Sequence, residues 1–214
     1  PLYIGVSTKP YVNVGKMKNH GFDTSLEYNQ RVGQVRLSGK ANFTYAHNTI
    51  IDNDQPDWKY PYLNRRGQML WQQYGLVAAG LFESQADIDS WPTQTFGEVK
   101  PGDIKYIDIN GDGKIDTNDE KPIGWAAVPE IVYGFGLSAA WKGLDCSVFF
   151  QGAGHVTLQQ SGSAIQAFSA RNMMESGVYE DIYYNHWSED NPNPNAKYPR
   201  LSIGSNKNNF RNST

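Results

Sequence analysis

The chain has 214 residues, enough for one large or two small domains with a sizeable core, and its net charge of −3 comes without any block of Lys or Arg, so it lacks the footprint of a nucleic-acid or anionic-lipid surface. Its single cysteine, Cys146, excludes an internal disulfide, and no Cys/His spacing suggests zinc. No apolar run approaches the ~18 residues of a membrane helix, which excludes a helical span but not a membrane strand of about 9 to 11 alternating residues.

In chain order, residues 1–20 read as a loop segment. The first regular stretch, residues 21–48, alternates with period two: Phe22, Leu26 and Tyr28 oppose Asp23, Ser25 and Glu27. After a polar break near Asn29 to Gly33, Val35, Leu37, Ala41, Phe43 and Tyr45 oppose Arg36, Ser38, Lys40, Asn42 and Thr44, which makes a hairpin. Residues 49–130 form a long loop rich in Pro, Gly, Asp and Trp. Inside it Ser84 can cap a short helix, with Asp87 at the capping-box position and Pro92 at the exit. Residues 131–151 form a second hairpin. With Lys142-Gly143 as its turn, Trp141 faces Leu144 and Leu137 faces Val148, so both apolar faces coincide. Residues 152–214 are again loop, with a turn of helix near "SARNMMES". Pro1 and Thr214 both stand in loop-like sequence, which suggests a piece of a longer chain.

Short turns alternating with long loops favour an outer-membrane barrel, which has short turns on one side and long loops on the other; a soluble sandwich has moderate loops at both ends. The fold class expected is all-β: antiparallel hairpins of a transmembrane β-barrel, with short helices in the long loops and too few strands to close.

The segment "DINGDGKIDTND", residues 108–119, fills every oxygen position of an EF-hand-type loop: Asp108, Asn110, Asp112, the Lys114 carbonyl, Asp116 and Asp119, with Gly113 at the sharp turn. Hard oxygen ligands without nitrogen or sulfur select Ca2+. Aspartate at the last position, where the pattern has glutamate, lowers the expected affinity. The flanks are not helical, since "GDIKY" reads as extended and Pro122 blocks an exiting helix. This is the pattern of a structural calcium clip, against which stands the plain fact that Asp, Asn and Gly are turn formers.

No nucleophile elbow, His-based triad, HExxH or phosphate loop is present, and His20, His47, His155 and His186 stand in loop-like contexts, so no enzyme is expected. Trp58, Trp71, Trp91, Trp125 and Trp187 are candidates for contact with a sugar or peptide, pairing flat apolar area with nearby amides; each serves equally as filler of a loop's own small core.

"NVGKMKNHGFDTSLEY", "YGLVAAGLFESQADID", "PGDIKYIDINGDGKIDTNDEKPIG", "YGFGLSAAWKGLDCSVFFQG" and "NPNPNAKYPRL" together resemble the C-terminal barrel half of a SusC/RagA-type TonB-linked outer-membrane transporter. The resemblance implies part of a barrel of about 22 strands that imports glycans or peptides across the outer membrane of a Gram-negative, Bacteroidetes-like bacterium. It also implies a SusD-like surface lipoprotein as partner, and TonB acting through a plug domain outside this chain. Phe22, Leu26, Val35, Leu37, Tyr133, Phe135, Leu137, Val148 and Phe150 would then face lipid, Arg36, Lys40 and Asn42 the lumen, and the long loops the exterior. The competing class is a soluble secreted calcium-dependent carbohydrate-binding β module, in which Leu37 and Phe135 would pack between two sheets.

Overall fold

The computed structural model describes residues 13–162, 165–168, 177–204 and 206–214. Their strands are β1 (Lys16–Val32), β2 (Val35–Asp52), β3 (Gln72–Gly75), β4 (Ala78–Leu81), β5 (Thr93–Gln94), β6 (Ile104–Tyr106), β7 (Lys114–Ile115), β8 (Lys121–Ala126), β9 (Ile131–Trp141) and β10 (Leu144–Gly154); α1 spans Gln85–Ser90 and α2 Glu180–Asn185. Two compact units emerge, one built on β1, β2, β9 and β10 and the other on the shorter strands with residues 155–214.

In the first unit the four long strands make one antiparallel sheet in the order β1-β2-β9-β10. Period-two alternation is kept in register across all of them. Phe22 opposes Tyr45, Ala41 opposes Phe135, and Phe135 opposes Phe150; Val35 opposes Trp141, and Trp141 opposes Leu144. One face is therefore predominantly apolar, with Thr24 and Gln30 its polar members on β1, and carries stacked rings, Phe22 on Phe43 at 5.6 Å and Phe135 on Phe150 at 5.0 Å. The other is polar and cross-linked between strands, with Thr44 donating to Asp23 at 3.1 Å and Lys40 paired with Glu27 at 3.2 Å. Leu37 and Phe135 lie on the apolar face at 40% and 47% exposure, so they do not fill the interior of a sandwich. A sheet with a dry face outward and a wet face opposite is the wall pattern of a membrane barrel.

Both hairpins run further than residues 21–48 and 131–151. Asn29 to Val32 continue β1, Asn29 and Arg31 on the polar face and Gln30 and Val32 beside Leu37 and Val35 on the apolar one, and Gly33, at φ +61°, makes the turn. His20 and His47 are not loop residues: they are cross-strand partners with rings 5.3 Å apart, and the buried Glu130 carboxylate bonds His47 Nδ1. β2 pairs with β9 only from Val35 to Tyr45; beyond that Ala46–Asp52 keeps β1 on one edge and bonds loop backbone on the other, Ala46 N donating to the Glu130 carbonyl, Ile50 N to that of Gln68 and Gly67 N to that of Ile50.

The second unit has no broad sheet. Three two-stranded ladders, β3 with β8, β4 with β6 and β5 with β7, surround a small core of Leu76, Tyr106 and Ile115, all fully buried. Ser84 caps α1 by accepting from Asp87 N, as its spacing predicts, while the Asp87 carboxylate accepts from Glu83 N instead of closing a full box. Pro122 lies in β8, opposite Tyr74. α2 is preceded by Tyr179, which makes no side-chain cap, and so gives no start signal in the sequence. The helix expected near "SARNMMES" lies outside the described residues.

Candidate functional site

The ion loop is held at its centre. β7 pairs in parallel with β5, Thr93 N donates to the Gly113 carbonyl and Thr95 N to that of Ile115, and the Ile115 side chain is fully buried in the core. Around this anchor the acidic residues bind backbone. Asp108 accepts from Gly111 N at 2.7 Å and Gly113 N at 2.9 Å, Asn110 from Asp112 N, Asp112 from Lys114 N, and Asp116 from Asn118 N. Gly111 and Gly113 both take left-handed φ, which lets the chain fold under its own carboxylates. Asp116 also caps a 3-10 turn over Thr117–Asp119. Asp119 is fully buried and ties the loop's end to its start, accepting from Ile109 N and Asn110 N on one oxygen and from Asp116 N on the other.

The six candidate ligands thus sit in one closed loop, but the side-chain oxygens of Asp108, Asn110, Asp112, Asp116 and Asp119 are turned toward N–H groups. Among the described residues no three acidic, histidine or cysteine side chains converge on one point. Their field is nevertheless negative. The Tyr62 hydroxyl donates to the Asn118 carbonyl at 2.6 Å, and its pKa is pushed up to about 12, first by burial and then by the charge of Asp119, with Tyr60, Asp108 and Asp112 adding to it.

The five tryptophans do not form one surface. Trp187 is 5% exposed, and Trp91 packs on the core, donates Nε1–H to the Tyr106 carbonyl at 2.7 Å and carries Lys105 Nζ 4.0 Å over its ring. Both are packing residues. Trp71 and Trp125 are exposed, Trp125 stacking on His155 at 3.9 Å, and Trp58 is exposed in the first unit. Lys105 also pairs with Asp87 at 2.6 Å, a hydrogen bond that holds the Asp87 carboxyl below the usual carboxylate range. A lowered pKa means the pair's contribution is complete above the ordinary value near 4 and is lost as pH falls through the lowered one. Acidification below about pH 4 is therefore expected to loosen α1 and shift Trp91 emission, and an emission flat to the lower end of that titration would refute it.

A polar clasp joins residues 198–214 to the loop that leads into the ion site. Asp103, fully buried, accepts on Oδ1 from Asn206 and Asn209 at 3.0 and 2.8 Å, and on Oδ2 from Lys100 N and Arg200 Nη2 at 2.8 and 3.1 Å. Arg200 Nε lies 2.8 Å from Oδ1 but out of line for a hydrogen bond, so that contact is an ion pair only. Beside it the buried Gln94 accepts from Tyr106 N and donates to Asn208, and the Tyr106 hydroxyl donates to the Asn208 carbonyl. Gly102, at φ +84°, lies flat against the Trp187 ring. Sequence reasoning missed this clasp, whose only signal is the run of asparagines from Asn206 to Asn212. A cleft of about 420 Å3 opens nearby, lined among others by Gln73, Gln159, Gln166, Tyr198, Arg211 and Asn212, and by none of the five tryptophans.

No family model matches the chain. It is 26% identical over 219 residues to TonB-dependent receptor P3 of Formosa agariphila, an alignment covering 94% of this chain and 20% of the relative. To TonB-dependent receptor P26 of the same organism it is 30% identical over 151 residues, 65% of this chain and 15% of that one. Among solved structures it is similar to the RagAB peptide transporter, with a TM-score of 0.65 at 21% identity over 97% of this chain and 22% of the other. The open-open state of the RagAB peptide importer gives 0.63 at 20%. At these identities the structural likeness is one of fold, and the chain spans about a fifth of the length of the first of these relatives.

Proposed function

From the premise that this chain stands among the TonB-dependent receptors of SusC/RagA type, we propose that it forms part of the wall and mouth of an outer-membrane importer in a Gram-negative bacterium. The observation that carries this is the sheet with one predominantly apolar face and one polar, cross-linked face. Lipid covers the first and the aqueous lumen the second. The test is a pair of labels in the full-length protein in bilayers, with Cys146 changed to Ser: a fluorophore on Leu137→Cys is quenched by a lipid-soluble quencher, and one on Ser138→Cys by a water-soluble quencher. Equal quenching at the two positions would end the reading.

The long loops then lie outside the cell, where a SusD-like lipoprotein covers the mouth, and TonB acts through a plug domain. The cargo is a glycan or a peptide; RagAB is named a peptide transporter, and the exposed Trp58, Trp71 and Trp125 suit either class.

The ion loop binds Ca2+ as a structural clip. Asp108, Asn110, Asp112, Lys114 through its carbonyl, Asp116 and Asp119 form the donor set, supported by its all-oxygen chemistry, the loop's closure through Asp119 and the negative field at Tyr62. Tb3+ added to the chelated full-length protein is expected to emit on tyrosine excitation, through the stacked Tyr60 and Tyr62, and Asp112→Ala to abolish the signal. Chelation should lower the melting temperature and open residues 100–126 to protease. If EDTA changes neither, the clip is wrong.

A further inference from the structure

One donor of the ion loop is left over. Asn110 Nδ2 is buried and meets no hydrogen-bond acceptor among the described residues. The oxygen of the same carboxamide is engaged, since Asn110 Oδ1 accepts from Asp112 N at 2.8 Å. The group is therefore fixed by its oxygen, and no bond holds its nitrogen.

The next residue carries the atom that can displace that nitrogen. Asn110-Gly111 is the one Asn-Gly pair in the chain. An asparagine carboxamide can be attacked by the main-chain nitrogen of its own successor, and glycine in that place sets no side chain in the way. Gly111 is exposed, at φ +72°, with nothing within 4 Å of where a Cβ would stand.

Both charges that the attack creates are met by groups already in position. Gly111 N–H donates to Asp108 Oδ1 at 2.7 Å, so a carboxylate lies on the proton that the nitrogen has to shed. The Asp112 N–H lies on Asn110 Oδ1, where negative charge gathers as Cγ is attacked. Base, nucleophile and oxyanion donor all come from the short run Asp108 to Asp112.

We infer that Asn110 is a site of self-catalysed deamidation. Gly111 N passes its proton to the Asp108 carboxylate and bonds to Asn110 Cγ. The Cγ–Nδ2 bond then breaks, and Nδ2 leaves as ammonia with the proton that Asp108 held. Water opens the cyclic imide, at Cγ to give aspartate or at the main-chain carbonyl to give isoaspartate. Water is consumed and ammonia released, and nothing is oxidised or reduced. The aspartate product adds a charge and an oxygen to the loop; the isoaspartate product lengthens its main chain beside the Gly111 turn.

The test is peptide mapping by mass spectrometry of the full-length protein, aged in chelator at neutral pH, with isoaspartate counted by enzymatic methylation. Asn110 is expected to lose its amide ahead of every other asparagine, to a mixture of the two products. Asp108→Asn keeps an acceptor for Gly111 N but removes the base, so the rate falls about a hundredfold, the lower end of what a positioned base supplies. Asp108→Glu keeps a carboxylate and most of the rate. The inference is overturned if Asn110 keeps its amide in the folded protein, or if Asp108→Asn deamidates as fast as the wild type or faster, which makes the Asp108 bond a guard on the nitrogen. It is also overturned if Asp108→Glu loses as much as Asp108→Asn, which makes Asp108 a structural residue only. Saturating calcium slows the reaction if Asp108 is also a ligand. An unchanged rate in calcium counts against the clip alone, and deamidation then stands without it.

Discussion

Asp103→Ala is expected to destabilise the second unit by about 3–5 kcal/mol, the cost of breaking a buried ion pair from one side. Four donors converge on that carboxylate, from Lys100, Arg200, Asn206 and Asn209. Alanine leaves the guanidinium without its counter-charge and two amides without acceptors, each in a place water does not reach freely. Asp103→Asn keeps an acceptor oxygen and loses the charge, so its loss is smaller, about 1–3 kcal/mol. The measurement is a denaturant melt of the chain followed by tryptophan emission, with protease cleavage within residues 198–214 as the second readout. An alanine variant within 1 kcal/mol of wild type would show that the clasp is incidental.

Gly102→Ala is expected to cost about 3 kcal/mol or more, from two causes that add. Gly102 takes φ +84°, which a side chain resists, and the new methyl would stand 2.2 Å from Trp187 Cε3 and 2.9 Å from Arg200 Cβ. The indole has little room to retreat, since Trp187 is 5% exposed and its backbone N–H is bonded to the Tyr198 carbonyl. Gly113→Ala is the control. It has nearly the same dihedral, φ +81°, with nothing within 4 Å of a Cβ, so it carries only the backbone strain of about 1–2 kcal/mol. Equal losses in the two variants would mean that the Trp187 contact contributes nothing.

The Pro-Gly-Asp lead into the ion loop thereby acquires a physical reason, one that sequence spacing does not contain. Asp103 meets partners about a hundred residues on, and no local period announces a contact of that range. The hairpins were legible for the opposite reason. Register in a two-faced sheet is fixed by alternation, so the Lys142-Gly143 turn alone places Leu137 opposite Val148. Trp91 and Trp187 have the composition of ligand contacts and the positions of core residues, a distinction that only packing reveals. In the ion loop the order of side chains was readable, while the commitment of their oxygens to N–H groups was not.

The unequal strand lengths bear on how deep the wall sits. Ala46–Asp52 climbs roughly 20 Å past the last rung shared with β9, whereas the stretch common to all four strands already matches the about 9 to 11 residues that a bilayer core demands. Lys16, Lys18, His20 and His47 fall in the overhang, residues suited to headgroups and water and ill suited to acyl chains. The polar and ionisable residues of the first hairpin thus gather in the part of it that exceeds the width of the four-stranded sheet.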